Sequence, residues 1–149
     1  MMPEARCLDD LQVGQRASFA KTISEADISM FAGITGDFNP FHVNEDYAKT
    51  TIFKGRIAHG VLTAGLISTV LGNKLPGIGF VYLSQTLKFT SPVMIGDTIT
   101  ASAEIVEKVE ESGRIRLKTI CVNQEGKVVI DGEAIMMHIG KIRPKTRSH

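Results

Sequence analysis

A carboxylate and an imidazole, Asp37 and His42, lie five residues apart across the constrained turn Gly36-Asp37-Phe38-Asn39-Pro40-Phe41-His42, and His59-Gly60 follows at the head of an apolar run. Gly36 admits a positive φ, Asn39 can close a turn through its own side chain, and Pro40 locks its φ while pushing Asn39 toward an extended conformation. Across so rigid a spacer the two side chains can converge on one water molecule. A carboxylate and an imidazole sharing a water are the material of general acid-base catalysis, which typically contributes about 10²- to 10⁴-fold in rate. The simpler reading makes Asp37 a turn aspartate bonded to nearby N–H groups and His42 a satisfied, half-buried ring. The rigid spacer and the second histidine downstream favour chemistry. Asp37, His42 and His59 are also metal-ligating types, but no metal is expected here.

The elements that must position these residues are legible from capping and periodicity. A strand is expected over Ala17 to Ile23, and Ser24 then caps a helix whose first turn carries Glu25 and Asp27, where the helix dipole favours acids. Ala26, Met30, Phe31 and Ile34, with Ile28 beside them, give that helix its apolar stripe to about Thr35, and Gly36 ends it just before Asp37. Asn44 is placed to cap a short helix through Glu45 to Lys49, and Thr50 to Ala58 reads as irregular, with a turn at Gly55-Arg56. From Gly60 to Gly72-Asn73, Val61, Leu62, Ala64, Leu66, Ile67, Val70 and Leu71 occupy every face of a helix, the pattern of one buried all round.

After a turn at Pro76-Gly77 the chain reads as strands. Val81, Leu83, Leu87 and Phe89 alternate with polar residues, and Ile99, Ala101, Ala103 and Ile105 do the same. Turns at Glu110 to Gly113 and Gln124 to Lys127 bound a strand through Ile115, Leu117, Thr119 and Cys121, and a last strand covers Val128 to His138. Connections this short require antiparallel pairing. The expected architecture is α+β: a curved antiparallel sheet of about five strands wrapped around a central buried helix, with the segment from Asp37 to Ala58 over the opening. Exposed sheet edges make a homodimer or a dimer of dimers the expected assembly.

The 149 residues suit one domain, expected over 1–140, followed by a basic tail over 141–149 carrying Lys141, Arg143, Lys145 and Arg147. The tail reads as solvated, with binding of an anionic cofactor's phosphates as a minority alternative. A net charge of +1 and the absence of Trp point to no nucleic-acid partner, and Ile57 to Asn73, the longest uncharged stretch, is too short and too polar to span a bilayer. Two cysteines, Cys7 and Cys121, form no disulfide framework, and an N-terminus with Glu4, Asp9 and Asp10 lacks a signal core. A cytoplasmic protein is expected.

The assembled residues resemble the MaoC-like, (R)-specific enoyl-CoA hydratase family, whose members have the hot-dog fold. The family motif runs from an aromatic residue through Gly-Asp-x-Asn-Pro-apolar-His to a small residue six positions further on. This chain has Phe31, then Gly36 to His42, then Ala48. The likeness continues through Ile57-Ala58-His59-Gly60, Pro76-Gly77, Tyr82 to Gln85, Pro92 and Gly96-Asp97, covering about Leu11 to Met137. The resemblance implies reversible syn hydration of trans-2-enoyl-CoA to (R)-3-hydroxyacyl-CoA, with no cofactor and an acyl-CoA thioester as partner. It implies that Asp37 and His42 are the catalytic pair, that the Gly60 N–H serves the oxyanion, and that Ser68 supports the site by hydrogen bonding. Asn39 and His59 are expected to support the loop.

Read from its own context, Ser68 bonds back to the Ala64 carbonyl, as serines in apolar helices commonly do. Gly60 suits the oxyanion because a helix tip offers orphan N–H groups and a glycine permits close approach. Three rival readings remain. A hot-dog acyl-CoA thioesterase would bind the same ligand, a 3-hydroxyacyl-acyl-carrier-protein dehydratase would use another carrier, and a non-enzymatic acyl-CoA sensing module would have little need for both Asp37 and His42.

Overall fold

Residues 4–141 are described by a computed structural model. Period-two alternation in the second half of the chain becomes a five-stranded antiparallel sheet of β1 (Arg16–Thr22), β2 (Phe80–Phe89), β3 (Thr98–Val109), β4 (Arg114–Val122) and β5 (Val128–His138), in spatial order β1-β3-β4-β5-β2. The helices are α1 (Glu25–Thr35), α2 (Pro40–Val43), α3 (Glu45–Thr50) and α4 (Gly60–Asn73). This is the hot-dog arrangement expected from the sequence. The sheet curves around α4, and α1 to α3 lie in the segment between β1 and α4.

The core lies between α4 and the inner face of the sheet. Ile115, Leu117 and Cys121 on β4, Ile99, Ala101 and Ile105 on β3, and Val70 and Leu71 on α4 are fully buried. Burial pushes the Cys121 thiol up to about 12. The Tyr82 phenol is also pushed up to about 12, by burial first and by the neighbouring Cys121 second. A thiol and a phenol are protonated at neutral pH in any case, and the shifts keep both neutral well into the alkaline range. Cys7 and Cys121 are both free thiols.

Two expectations about burial need correction. Helix α4 is not covered on every side: Thr63, Leu66, Ile67, Val70 and Leu71 are buried, but Val61, Gly65, Ser68 and Gly72 form an exposed stripe at helical spacing. One sheet covers only one side of a cylinder, and the stripe left over is made mainly of small residues. In α1 the buried positions are Ile28 and Ala32, while Met30 is 60% and Ile34 is 83% exposed. Only the inward turn of α1 meets other elements, so the predicted stripe is split. Of the basic tail, Lys141 closes a short 3₁₀ turn, and Arg143, Lys145 and Arg147 lie outside the described residues. Among the described residues no helix is long and apolar enough to cross a membrane.

Strand β2 is an edge strand whose register shifts between Tyr82 and Ser84, which displaces Leu83 from the pairing with β5. Inside this edge Gln85 donates from Nε2 to the Thr119 hydroxyl at 2.8 Å and accepts from the Tyr82 hydroxyl. Gly132 on β5 makes room for it, because a Cβ there would stand 2.0 Å from the Thr86 carbonyl oxygen and 3.0 Å from Gln85 Nε2. Backbone cannot yield as a flexible side chain does. Gly132→Ala is therefore expected to destabilise the fold by about 1–3 kcal/mol or more, the usual penalty of overpacking. An unchanged urea midpoint would contradict this account of the β2 edge.

Candidate active site

The loop is built by two caps in series. Ser24 and Asp27 form a capping box at the start of α1, with the Ser24 N–H donating to the Asp27 carboxylate at 2.8 Å and the Asp27 N–H donating to the Ser24 hydroxyl at 3.1 Å. A salt bridge from Lys21 at 2.8 Å helps hold the Asp27 carboxyl below its ordinary range. At the other end Gly36 takes φ 80° and its N–H bonds to the Ala32 carbonyl at 2.8 Å, which turns the chain and releases Asp37 from the helix. Asn39 then caps α2, accepting from the Phe41 N–H at 3.1 Å, with Pro40 at the first helical position. The sequence reading anticipated the turn at Asn39-Pro40 and not the single helical turn that follows it.

Asp37 keeps part of its simpler role. One carboxylate oxygen accepts from the Asn39 N–H at 3.2 Å, closing the local turn and leaving the other oxygen without a backbone partner. His42 Nδ1 lies 2.7 Å from the Ile57 carbonyl oxygen. A carbonyl can only accept, so Nδ1 carries the proton and the lone pair resides on Nε2. His59 follows the same logic on its other nitrogen: Nε2 lies 3.0 Å from the Asp37 carbonyl oxygen, so Nε2–H donates and Nδ1 is left as an acceptor. The two imidazoles stack with centroids 3.8 Å apart and planes inclined by 28°, and the Phe31 ring lies 4.7 Å from His59 at a tilt of 52°.

Ile57, whose carbonyl orients His42, is itself anchored. Its N–H donates to the Phe41 carbonyl at 3.1 Å, and the next residue, Ala58, donates to Val93 at 2.8 Å. Arg56 ties the same segment to two helices, bonding Glu45 of α3 at 3.3 Å and Glu25 at the start of α1. Its side chain is only 13% exposed, so the guanidinium is held rather than waving in solvent.

Asp37, His42 and His59 offer ligand atoms that all lie within 4.8 Å of one another. On distance alone the trio fits a metal. Orientation argues otherwise, because rings stacked at 3.8 Å with planes inclined by only 28° present their nitrogens side by side instead of toward a common point. Their arrangement suits two proton-exchanging groups around one small polar molecule.

His42 and Gly60 share a cavity of about 430 Å³ whose wall also includes Phe53, Thr63, Phe89 and Ile130. No side chain caps the tip of α4, so its leading N–H groups are free of side-chain partners. The glycine at 60 also meets a packing need where the loop enters the helix, a reason the sequence offered without its partner. A Cβ there would meet the Phe89 ring at 2.6 Å, so the aromatic ring of β2 already rests where a side chain would go. Ser68 is not brought to this group: it lies eight residues along α4, about 12 Å from Gly60 at 1.5 Å per residue, and its side chain is exposed. Phe89, Thr63 and the Ile57 carbonyl are the participants that sequence reasoning did not find. Only Thr63 left a trace, as the polar position three residues after Gly60.

Comparison with known proteins places these observations in context. The family model described as MaoC like domain matches residues 10–128. A Rhodospirillum rubrum protein named (R)-specific enoyl-CoA hydratase is 57% identical over 129 residues, covering 87% of this chain and 89% of that one. A 3-hydroxybutyryl-CoA dehydratase of Methylorubrum extorquens is 50% identical over 138 residues, covering 91% and 87%. The solved structure of an R-hydratase from Pseudomonas aeruginosa in its unliganded form superposes with a TM-score of 0.84 at 46% identity, covering 88% of this chain and 84% of that one.

The His59 bond to the Asp37 carbonyl should hold the loop irrespective of what the site does. His59→Leu, which keeps bulk and removes the donor, is expected to speed amide hydrogen exchange across Asp37 to Val43 while leaving β3 and β4 protected. Unchanged exchange in the loop would show that His59 is not its clamp.

Proposed function

The chain belongs to the MaoC-like domain family, and we propose that its activity is that of an (R)-specific enoyl-CoA hydratase, adding water reversibly to trans-2-enoyl-CoA to give (R)-3-hydroxyacyl-CoA. The observation that carries this reading is the Asp37 carboxylate within 4.8 Å of the His42 imidazole, which itself lines one cavity together with Gly60 at the uncapped helix tip.

Hydration requires a hydroxyl at C3, a proton at C2, and stabilisation of the negative charge that gathers on the thioester oxygen between the two events. A water held between Asp37 and the Nε2 lone pair of His42 meets the first need. The Ile57 carbonyl keeps that lone pair available by occupying Nδ1–H. One group takes a proton from the water as its oxygen bonds to C3, and a proton is returned from the same side to C2, so addition is syn. The thioester oxygen accepts from the Gly60 N–H at the positive end of α4, a type of donor whose loss elsewhere costs about 3–4 kcal/mol of transition-state stabilisation. Asn39 and His59 act as supports: Asn39 caps α2, which carries His42, and His59 fixes the Asp37 backbone.

The natural assembly is a homodimer paired along β2. This edge strand exposes Leu83 at 45%, Leu87 at 36% and Phe89 at 52%, and the open stripe of α4 lies across a groove from it. A long apolar edge is a template for another copy of itself. In such a pair Ser68 belongs to the seam between subunits and not to its own chain's Asp37–His42 group.

Two experiments test these readings. The wild-type protein is expected to consume the enoyl absorbance of trans-2-enoyl-CoA without releasing thiol and to yield the (R)-3-hydroxy product on chiral analysis. Asp37→Asn and His42→Ala should each lower turnover at least about 10²-fold while remaining folded. Near-wild-type turnover in either variant would remove that residue from the chemistry. Leu87→Lys is expected to shift the sedimentation of the protein from dimer toward monomer, and a monomeric wild type would refute the β2 pairing.

A further inference from the structure

Among the described residues two buried side-chain polar atoms have no hydrogen-bond partner, His59 Nδ1 and the Thr63 hydroxyl oxygen, and both stand at the tip of α4. Thr63 is 1% exposed yet forms part of the wall of the cavity that also holds His42 and Gly60. A helical threonine commonly returns its hydroxyl to a carbonyl three or four residues back. This one does not. An orphaned hydroxyl in a buried position weakens the fold, and valine would fill the same shape without that penalty. The hydroxyl is therefore left with its proton to offer to a partner from outside the chain.

The direction of the side chain narrows what that partner is. Residues three apart lie on one face of a helix, and side chains tilt toward its N-terminus. Thr63 thus leans back over Gly60, whose N–H is among the uncapped donors of the tip. Of the two orphans only Thr63 has a proton to offer, because His59 has committed its own to the Asp37 carbonyl.

We propose that the Thr63 hydroxyl is a second hydrogen-bond donor to the substrate's thioester oxygen, acting beside the Gly60 N–H; the inference rests on the hydratase reading given above. An enolate oxygen has lone pairs for both donors. A hydroxyl rotor can follow that oxygen as charge builds, whereas the backbone N–H is fixed. Thr63 gains nothing from the ground-state fold and acts only when substrate is present.

The test uses the full-length protein with trans-2-butenoyl-CoA and three variants, reading kcat and KM separately together with the thermal midpoint. Thr63→Val, which keeps the β-branch and deletes the hydroxyl, is expected to lower kcat at least about 10-fold, short of the loss of a sole oxyanion donor because Gly60 remains. Its thermal midpoint should equal or exceed that of the wild type, since the orphan is gone. Thr63→Ser should recover most of the lost kcat, and Thr63→Ala takes the place of Thr63→Val should the latter not fold. A smaller loss in Thr63→Val, or a loss that serine does not recover, overturns the assignment while leaving the hydratase reading intact. A wild type without hydratase activity overturns both.

Discussion

Two backbone carbonyls, Ile57 and Asp37, hold the site in one arrangement. The first accepts from His42 and the second from His59, and the two rings stack on each other between these bonds. Each bond does two things: it orients a ring, and it selects which nitrogen carries the proton. Because the carbonyls belong to segments on opposite sides of the loop, the stacked pair also pins the loop to the head of α4. Burial of His59 strengthens the constraint, since a half-satisfied imidazole with 2% exposure has no water to fall back on.

The same economy governs the tip of α4. A helix that starts without a side-chain cap leaves donors open, which is a liability in a packed interior and an asset beside a ligand cavity. Glycine at the first position is dictated from the other side of the cavity, where the Phe89 ring lies against it. The helix tip, the aromatic ring and the imidazole of His42 are thus three walls of one space, contributed by α4, β2 and α2.

The open stripe of α4 and the apolar face of β2 express a different constraint. A single curved sheet cannot enclose a helix, and beyond Val61 the uncovered stripe carries glycine and serine. Small residues there permit close approach by another surface, which is how the chain combines an apolar central helix with a tolerable monomer surface.

How much of this was legible in the linear chain differs from residue to residue. Asp37, Asn39 and His42 were marked by spacing and by the chemistry of Gly36 and Pro40, because turn-forming residues act locally and leave their signature in adjacent positions. The strands were legible because a sheet with one buried face imposes a period of two on its own sequence. The face of α1 was misjudged at Met30 and Ile34, since periodicity reveals that a helix has an apolar side but not how much of that side meets a neighbour. Ser68 was placed by family likeness, and the fold of the chain sets it on an outer stripe two turns from the loop. The tautomers of His42 and His59, the ring of Phe89 over Gly60 and the unpaired hydroxyl of Thr63 were decided by tertiary structure alone. Each depends on atoms brought together from segments distant in the chain, here Ile57 with His42, Asp37 with His59 and Phe89 with Gly60, and no local pattern of residue types encodes which carbonyl a ring will meet.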